Sequence, residues 1–180
     1  MTFSKDSSSM VSEQCITHKM ILPILTDENP QLREISAPVK TIDASTKKLI
    51  KDLIDTLASQ RGVGIAAPQT GIKQRVIICK IRSGREKEED VAMINPQILT
   101  KSKHCEIAEE GCFSIPNIFG PVNRPSEITV QYQTIDKKTV LRRFTGYNAR
   151  VIQHEVDHLD GILFTDLVSN KAELYEEISY

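Results

Sequence analysis

Two histidines one helical turn apart constrain this chain more than any other feature of its sequence. The stretch QHEVDH ends at His158, and on an α-helix His154 lies on the same face, because residues four apart are neighbours. Two imidazoles at this spacing can bind one divalent metal ion, and Glu155 places a carboxylate beside it as a general base for water. Thr145 as an N-cap and Gly161 after the last turn are typical bounds for the predicted helix.

The sequence leaves the third metal ligand open. The longer protease signature needs a histidine at position 164, which is Phe164 here. Cys112 follows a glycine near a turn. With the two histidines it would make a site whose fourth position is open for water, as in catalytic metal sites. A lone cysteine is more often a small buried apolar residue, which is our interpretation of Cys79 and Cys105.

Three other interpretations fit the histidine pair alone. The two histidines can be ordinary surface residues on a charged helix. In a zinc peptidase with two histidines and one glutamate, Glu176 or Glu177 would be the third ligand. In a protein without catalytic activity, a structural metal would need a fourth protein ligand, which His104 or Cys105 could supply. The peptidase alternative gives no role to Cys112.

The composition indicates a single intracellular domain. A chain of 180 residues is long enough for one domain with a substantial core. Its 23 basic and 24 acidic residues give a net charge of −1, which indicates neither a nucleic-acid surface nor a membrane surface. No apolar run is long enough to span a bilayer or to form a signal-peptide core. The widely spaced cysteines predict free thiols and a cytoplasmic location: Cys15, Cys79, Cys105 and Cys112.

Apolar periodicity predicts the main elements. Leucine and isoleucine at helical spacing predict a helix over 45–60, and two glycines and two alanines predict a turn leading into a strand at 62–69. Residues 1–19 are polar and are interpreted as a flexible extension. Residues 169–180 are interpreted as an acidic tail that can form a short helix. Strands are predicted at 76–81, at 91–94 with its end at Asn95 and Pro96, and as a hairpin at 127–134 and 139–144.

Three short motifs occur in one order along the chain. They are GVGIAAPQ at 62–69, EGCFS at 110–114 and QHEVDH at 153–158, and LREISAPV at 32–39 precedes them. Together they closely resemble the motifs of the peptide deformylase family. The resemblance extends over residues 20–168, which we interpret as one catalytic domain. It implies an α+β fold in which antiparallel β-sheets wrap around the central helix that carries the HExxH motif.

The resemblance also implies a reaction and its participants. The expected activity is removal of the formyl group from the N-terminal formyl-methionine of newly made polypeptides, with release of formate. The expected cofactor is one divalent metal ion per chain, Fe²⁺ natively, with Zn²⁺ or Ni²⁺ able to replace it. The expected partners are N-formylmethionyl nascent peptides and, transiently, the ribosome. Neither a membrane nor a nucleic acid is expected as a partner.

Family resemblance implies roles for residues at the matching positions. Cys112, His154 and His158 would be the metal ligands, and Glu155 would be the general base and acid. Gln69 and the backbone N–H of Phe113 would bind the developing oxyanion. The substrate-binding residues would be Val63, Gly64, Gly111, Tyr147, Val151 and, near the far end of the peptide, Arg124. Arg150, four residues before His154, is expected to extend its guanidinium into solvent at the mouth of the site.

Overall fold

The structure is a computed structural model that describes residues 19–84 and 87–177. The extension predicted over residues 1–19 lies outside the described part, except for Lys19. Two antiparallel sheets and two long helices make up the fold. The predicted α+β class with antiparallel sheets is confirmed. In the described ranges no helix is long and apolar enough to cross a membrane.

Helix α1 covers Ala44–Gln60, as the apolar stripe predicts. The carboxylate of Asp43 starts the helix by accepting hydrogen bonds from the backbone N–H groups of Ser45 at 2.9 Å and Thr46 at 3.0 Å. Arg61 caps the C-terminal end in a left-handed conformation with φ of 56°. The apolar face of the helix is buried and forms one core of the protein.

The larger sheet has five strands, which are β1 (Gly64–Ala66), β2 (Val76–Arg82), β3 (Glu88–Lys101), β6 (Glu127–Gln133) and β7 (Thr139–Thr145). They lie side by side in that order. Alternate residues of β2 point to opposite faces: Val76 and Ile78 pack with α1, whereas Ile77 and Cys79 pack on the other face. Both faces of this part of the sheet are therefore covered.

Strand β3 is much longer than the predicted strand at 91–94, which was wrongly expected to end at Asn95 and Pro96. The strand passes through these residues as a bulge, and the register with β6 shifts between Ile94 and Gln97. Asn95 has a positive φ of 52°, and its side chain exchanges two hydrogen bonds with the backbone of Val39, at 2.8 and 2.9 Å. A bulge accommodates a proline, which cannot donate to the ladder.

The smaller sheet was not predicted from the sequence. It consists of β4 (Cys105–Cys112), β5 (Ile115–Pro125) and β8 (Tyr175–Glu176), in that order. The predicted short helix near the C-terminus is only a 3-10 turn at Lys171–Glu173, after which β8 pairs with β5. Cys105 is exposed at the start of β4, so our interpretation of it as a buried apolar residue is wrong.

Helix α2 covers Gly146–Leu159 and carries both histidines of the QHEVDH stretch. Its apolar residues Ala149, Ile152, Val156 and Leu159 join the core that covers the β2 face opposite α1. Thr145 occupies the N-cap position, although its side chain makes no capping hydrogen bond. Gly161 follows the helix with a positive φ of 73°. Packing on the sheet holds the helix and its polar residues in fixed positions. A four-residue helix, α3 (Phe164–Leu167), follows α2.

Candidate metal centre and active site

Cys112, His154 and His158 meet at one point of the structure. Their ligand atoms all lie within 4.8 Å of one another, and Cys112 Sγ is 3.2 Å from His158 Nε2. One thiol and two imidazoles fit a divalent metal such as zinc or iron, with room for a further ligand. Within the residues that the structure describes, no other group of three such side chains could hold a metal ion.

The two alternative ligand sets are not assembled. Glu176 lies exposed on β8, where it pairs with Ile118, and Glu177 is also exposed. His104 and Cys105 are exposed at the opposite end of β4 from Cys112. Neither the peptidase arrangement nor a four-ligand structural site is therefore present in the described part of the chain.

Chain geometry explains why Cys112 reaches the helix. Cys112 is the last residue of β4, and the register with β5 shifts between Gly111 and Cys112, where the hairpin turns. His154 and His158 face this turn from α2. Burial holds the pKa of His158 well below its usual range, so the imidazole is neutral, as a metal ligand must be.

Glu110 orients His154 through a hydrogen bond. Its Oε2 atom is 3.0 Å from His154 Nδ1, which leaves His154 Nε2 as the nitrogen available for a metal. Burial opposes ionisation of Glu110, but hydrogen bonds from His154 and Arg124 dominate and lower its pKa to about 2. The sequence alone suggested no role for Glu110. Its place inside the EGCFS motif, directly before Gly111 and Cys112, was the available signal.

Arg124, for which the resemblance implies a place near the far end of the substrate, is not among the residues that line the cavity. It is buried, with a 4% exposed surface, and it donates to Glu110 Oε1 at 2.6 Å and Oε2 at 2.9 Å. Its third contact is with Asp157 on α2, at 2.6 Å. A buried guanidinium needs such partners because an unpaired charge in the interior is costly. Arg124 therefore joins β5 to β4 and to α2.

Arg150 turns inward, contrary to the prediction that its guanidinium lies in solvent. Its Nη1 atom donates to Glu110 Oε1 at 2.7 Å and to the carbonyl oxygen of Val122 at 2.9 Å. The sequence could not show this because Glu110 is 40 residues away along the chain. Arg150 still contributes to the cavity wall, but its guanidinium is paired with Glu110, which it shares with Arg124.

Glu155 lies on the same helix with its carboxylate beside the histidines. It is 4% exposed, and among the described residues its Oε2 atom has no hydrogen-bond partner. Burial raises its pKa to about 7. An unpaired buried carboxylate is costly in a purely structural role, which indicates that it serves a ligand or a reaction.

Gly64 provides the space for Glu155. A Cβ atom at Gly64 would lie only 2.3 Å from Glu155 Oε1 and 2.8 Å from its carboxyl carbon. Gly64 is buried and is not among the residues that line the cavity, and its closest side-chain contact is with Glu155. A glycine is required here for close approach rather than for backbone conformation.

We expect Gly64→Ala to destabilise the protein by about 1–3 kcal/mol, the usual cost of overpacking. The measurement is the free energy of unfolding in urea. The double variant Gly64→Ala/Glu155→Ala is the matched control, because it removes the side chain that the added methyl group would strike. A cost of Gly64→Ala that is the same with and without the Glu155 side chain would contradict this contact.

Gln69 lies in a 3-10 turn, Ala67–Thr70, that directly follows β1, and the last residue of β1 orients its side chain. Its Oε1 atom accepts a hydrogen bond from the Ala66 backbone N–H at 2.8 Å, so the amide nitrogen must be the atom that faces the site. That nitrogen lies 3.5 Å from Cys112 Sγ and 3.2 Å from Ser114 Oγ. Gln69 is 1% exposed and is thus a fixed donor beside Cys112 and Ser114, the residues on either side of Phe113.

A largely apolar cavity of about 880 Å³ opens above these residues. Four residues for which the resemblance implies substrate binding line it: Val63, Gly111, Tyr147 and Val151. The wall also includes Ile21, Leu22, Pro23 and Ile24, an apolar run for which the sequence suggested no partner. A cavity of this size with few convergent polar groups is typical of a site for a small molecule or a peptide end.

Comparisons with known proteins agree on one family. A family model described as polypeptide deformylase matches residues 21–173. A peptide deformylase from Pseudothermotoga lettingae is 44% identical over 140 residues, 78% of this chain and 78% of that protein. One from Rhizobium meliloti is 37% identical over 149 residues, 83% of this chain and 86% of that protein.

Solved structures give the same result. A class I type b peptide deformylase from Acinetobacter baumannii, solved with Met-Ala-Ser bound, superposes with a TM-score of 0.79 and 37% identity, covering 84% of this chain and 100% of that one. The Thermotoga maritima peptide deformylase superposes with a TM-score of 0.78 and 41% identity, covering 83% and 99% of the two chains. The structural similarity therefore covers 100% and 99% of the two solved chains.

Proposed function

The chain belongs to the peptide deformylase family of metal-dependent hydrolases, which remove the formyl group from newly made polypeptides, and we propose that its substrates are peptides that begin with formyl-methionine. The observation that supports this most strongly is the convergence of Cys112, His154, His158 and Glu155 beside one apolar cavity. An apolar cavity suits an unbranched methionine side chain.

Cys112, His154 and His158 are the proposed metal ligands. The support for this assignment is the mutual distance of their ligand atoms, within 4.8 Å, together with the hydrogen bond that His154 donates to Glu110 and that orients the imidazole. The proposed native metal is Fe²⁺, for which Zn²⁺ or Ni²⁺ can substitute, because thiolate and imidazole ligands suit all three ions. When bound, the metal supplies Lewis acidity, which makes a water more acidic and polarises the formyl carbonyl.

Glu155 is the proposed general base and acid. Its unpaired carboxylate takes a proton from the attacking water and returns it to the departing amine. A pKa raised by burial to about 7 allows the carboxylate to hold and release a proton near neutral pH. The apolar surroundings that raise this pKa also exclude bulk water from the proton transfer.

Gln69 and the backbone N–H of Phe113 are the proposed donors to the oxyanion. The Gln69 amide nitrogen is held toward the ligands because its oxygen is occupied by Ala66 N–H. Such a fixed donor needs no reorganisation when negative charge develops on the oxygen. One donor of this kind lowers the activation free energy by about 3 kcal/mol. Phe113 follows Cys112 directly, so its N–H belongs to the same turn.

The substrate backbone is proposed to lie along β1 and the end of β4. Strand β1 forms one edge of the five-stranded sheet, pairing with β2 alone, so its other side can accept an extended peptide. Val63, Gly111, Tyr147 and Val151 would then surround the first residue of the peptide. We also propose that these nascent peptides are met in the cytoplasm, transiently at the ribosome.

Release of formate from formyl-Met-Ala-Ser by the purified, metal-loaded protein is the experiment that tests this function. The same peptide with an acetyl group is the matched control, because it differs only in the size of the group to be removed. Formate release from the first peptide and little cleavage of the second are expected. Failure to release formate with any added divalent metal would contradict the proposed function.

Protein prepared in air is expected to lose activity and to regain it with Fe²⁺ under anaerobic conditions. A ferrous ion with a thiolate ligand is exposed to oxygen, and both the ion and the Cys112 sulfur can be oxidised. Metal content by mass spectrometry and formate release, measured before and after reloading, report the two effects separately. Activity that stays constant in air would identify another native metal.

A further inference from the structure

Glu109 differs from the other charged residues that line the cavity. Glu110 is buried and paired with Arg150 and Arg124, and Glu155 and His154 belong to the proposed reaction centre. Glu109 is exposed and lines the cavity, yet it forms no ion pair with any other described residue. It is therefore the one cavity-lining carboxylate in the described part of the chain that faces solvent without a neutralising partner.

The carboxylate of Glu109 is held in place from the C-terminal strand. The hydroxyl of Tyr175 on β8 donates a hydrogen bond to Glu109 Oε2. The Tyr175 ring stacks on Phe119, with ring centroids 6.0 Å apart, and Phe119 in turn covers Gly111 closely. The hydrogen bond to Glu109 is the main cause that raises the pKa of Tyr175 to about 12, so the phenol keeps its proton and remains a donor.

The position of Glu109 along β4 relates it to the peptide. Glu109 is three residues before Cys112, and strand residues are spaced about 3.3 Å apart, so the two lie roughly 10 Å apart along the strand. An extended peptide also advances by about 3.3–3.6 Å for each residue, so it covers the same 10 Å in about three residues. If the formyl group lies at Cys112, Glu109 is beside the second or third residue of the peptide.

We propose that Glu109, fixed by Tyr175, determines specificity by binding a basic side chain at the second or third residue of the formylated peptide. This inference rests on the proposed function, because it concerns the peptide that the same cavity binds. The interaction is an ion pair at a partly solvent-exposed rim, which gives a preference of up to about fivefold rather than an absolute requirement.

The test compares kcat/KM for lysine and glutamate at each position. The substrates are formyl-Met-Lys-Ser and formyl-Met-Glu-Ser, and formyl-Met-Ala-Lys and formyl-Met-Ala-Glu, all with amidated C-termini. At one position or both, kcat/KM of the wild-type enzyme is expected to be about threefold to tenfold higher for the lysine peptide than for the glutamate peptide. The ratio exceeds the gain from the ion pair alone because Glu109 also repels a glutamate side chain. Glu109→Gln is expected to reduce this ratio to within twofold of one, as is about 0.5 M salt in the wild type.

Glu176→Gln is the matched control, since it removes the same charge from the β8 residue next to Tyr175 but outside the cavity lining. The lysine preference should persist in this variant. An equal loss of the lysine preference in Glu109→Gln and Glu176→Gln would mean that the preference comes from the overall negative charge near the cavity. That result would overturn the proposal. Formate release without a lysine preference at either position would also overturn it while leaving the proposed function intact. No formate from any peptide would instead contradict the function itself.

Discussion

Cys112→Ala is expected to lose most of its bound metal and nearly all of its deformylase activity. Two imidazoles alone are a poor site for a divalent ion, because they supply neither negative charge nor a third point of attachment. The ligand atoms of Cys112, His154 and His158 form the one group of this kind in the described ranges, so no other side chain is placed to take over. Metal content per chain and kcat/KM for formyl-Met-Ala-Ser are the two measurements.

Cys105→Ala is the matched control for this variant. It removes the same sulfur from the same strand, but at the exposed end of β4. Metal content and activity of the control should equal those of the wild type. The ligand assignment would fail if Cys112→Ala kept its metal while Glu176→Ala or Glu177→Ala lost it, since that pattern belongs to a peptidase-type site.

Glu155→Gln is expected to retain the metal and to lose at least ~100-fold in kcat, the lower end of the range for general acid–base catalysis. Glutamine has nearly the shape of glutamate and fits the space that Gly64 leaves, but it cannot accept a proton from water. The loss should appear in kcat rather than in KM, because the carboxylate acts on the reacting atoms and not on the peptide side chains.

Glu106→Gln makes the same chemical change at an exposed carboxylate that does not line the cavity. Its activity should be unaffected, which separates the role of Glu155 from a general effect of losing one negative charge. Near-normal turnover by Glu155→Gln with a full complement of metal would show that another group accepts the proton.

Local patterns were sufficient where neighbours in sequence are neighbours in space. The stripe from Leu49 to Leu57 predicted α1 because a helix repeats its faces every few residues. His154 and His158 could be placed together for the same reason. Cys112 could be joined to them only through the family motifs, because it lies 46 residues from His158 and on another element.

Long-range pairs could not be predicted from the sequence. The inward turn of Arg150 and the burial of Arg124 depend on Glu110, which no periodicity relates to either residue. Strand β5 escaped prediction because its prolines and Gly120 resemble turn signals and interrupt the alternation of apolar residues. Asn95 and Pro96 led to the opposite error, because they were interpreted as the end of a strand. In the structure they form a bulge, and β3 continues beyond them.

The ion pairs around Glu110 have a consequence for how the enzyme acquires its metal. They join the two elements that carry the ligands, β4 through Glu110 and α2 through Arg150 and Asp157, without using the metal ion. We therefore expect the three side chains to stay together when no ion is bound, unlike the ligands of a zinc finger, whose folding requires the ion. We also expect the folded protein without metal to take up whichever divalent ion is supplied, which metal content after incubation with single ions would measure.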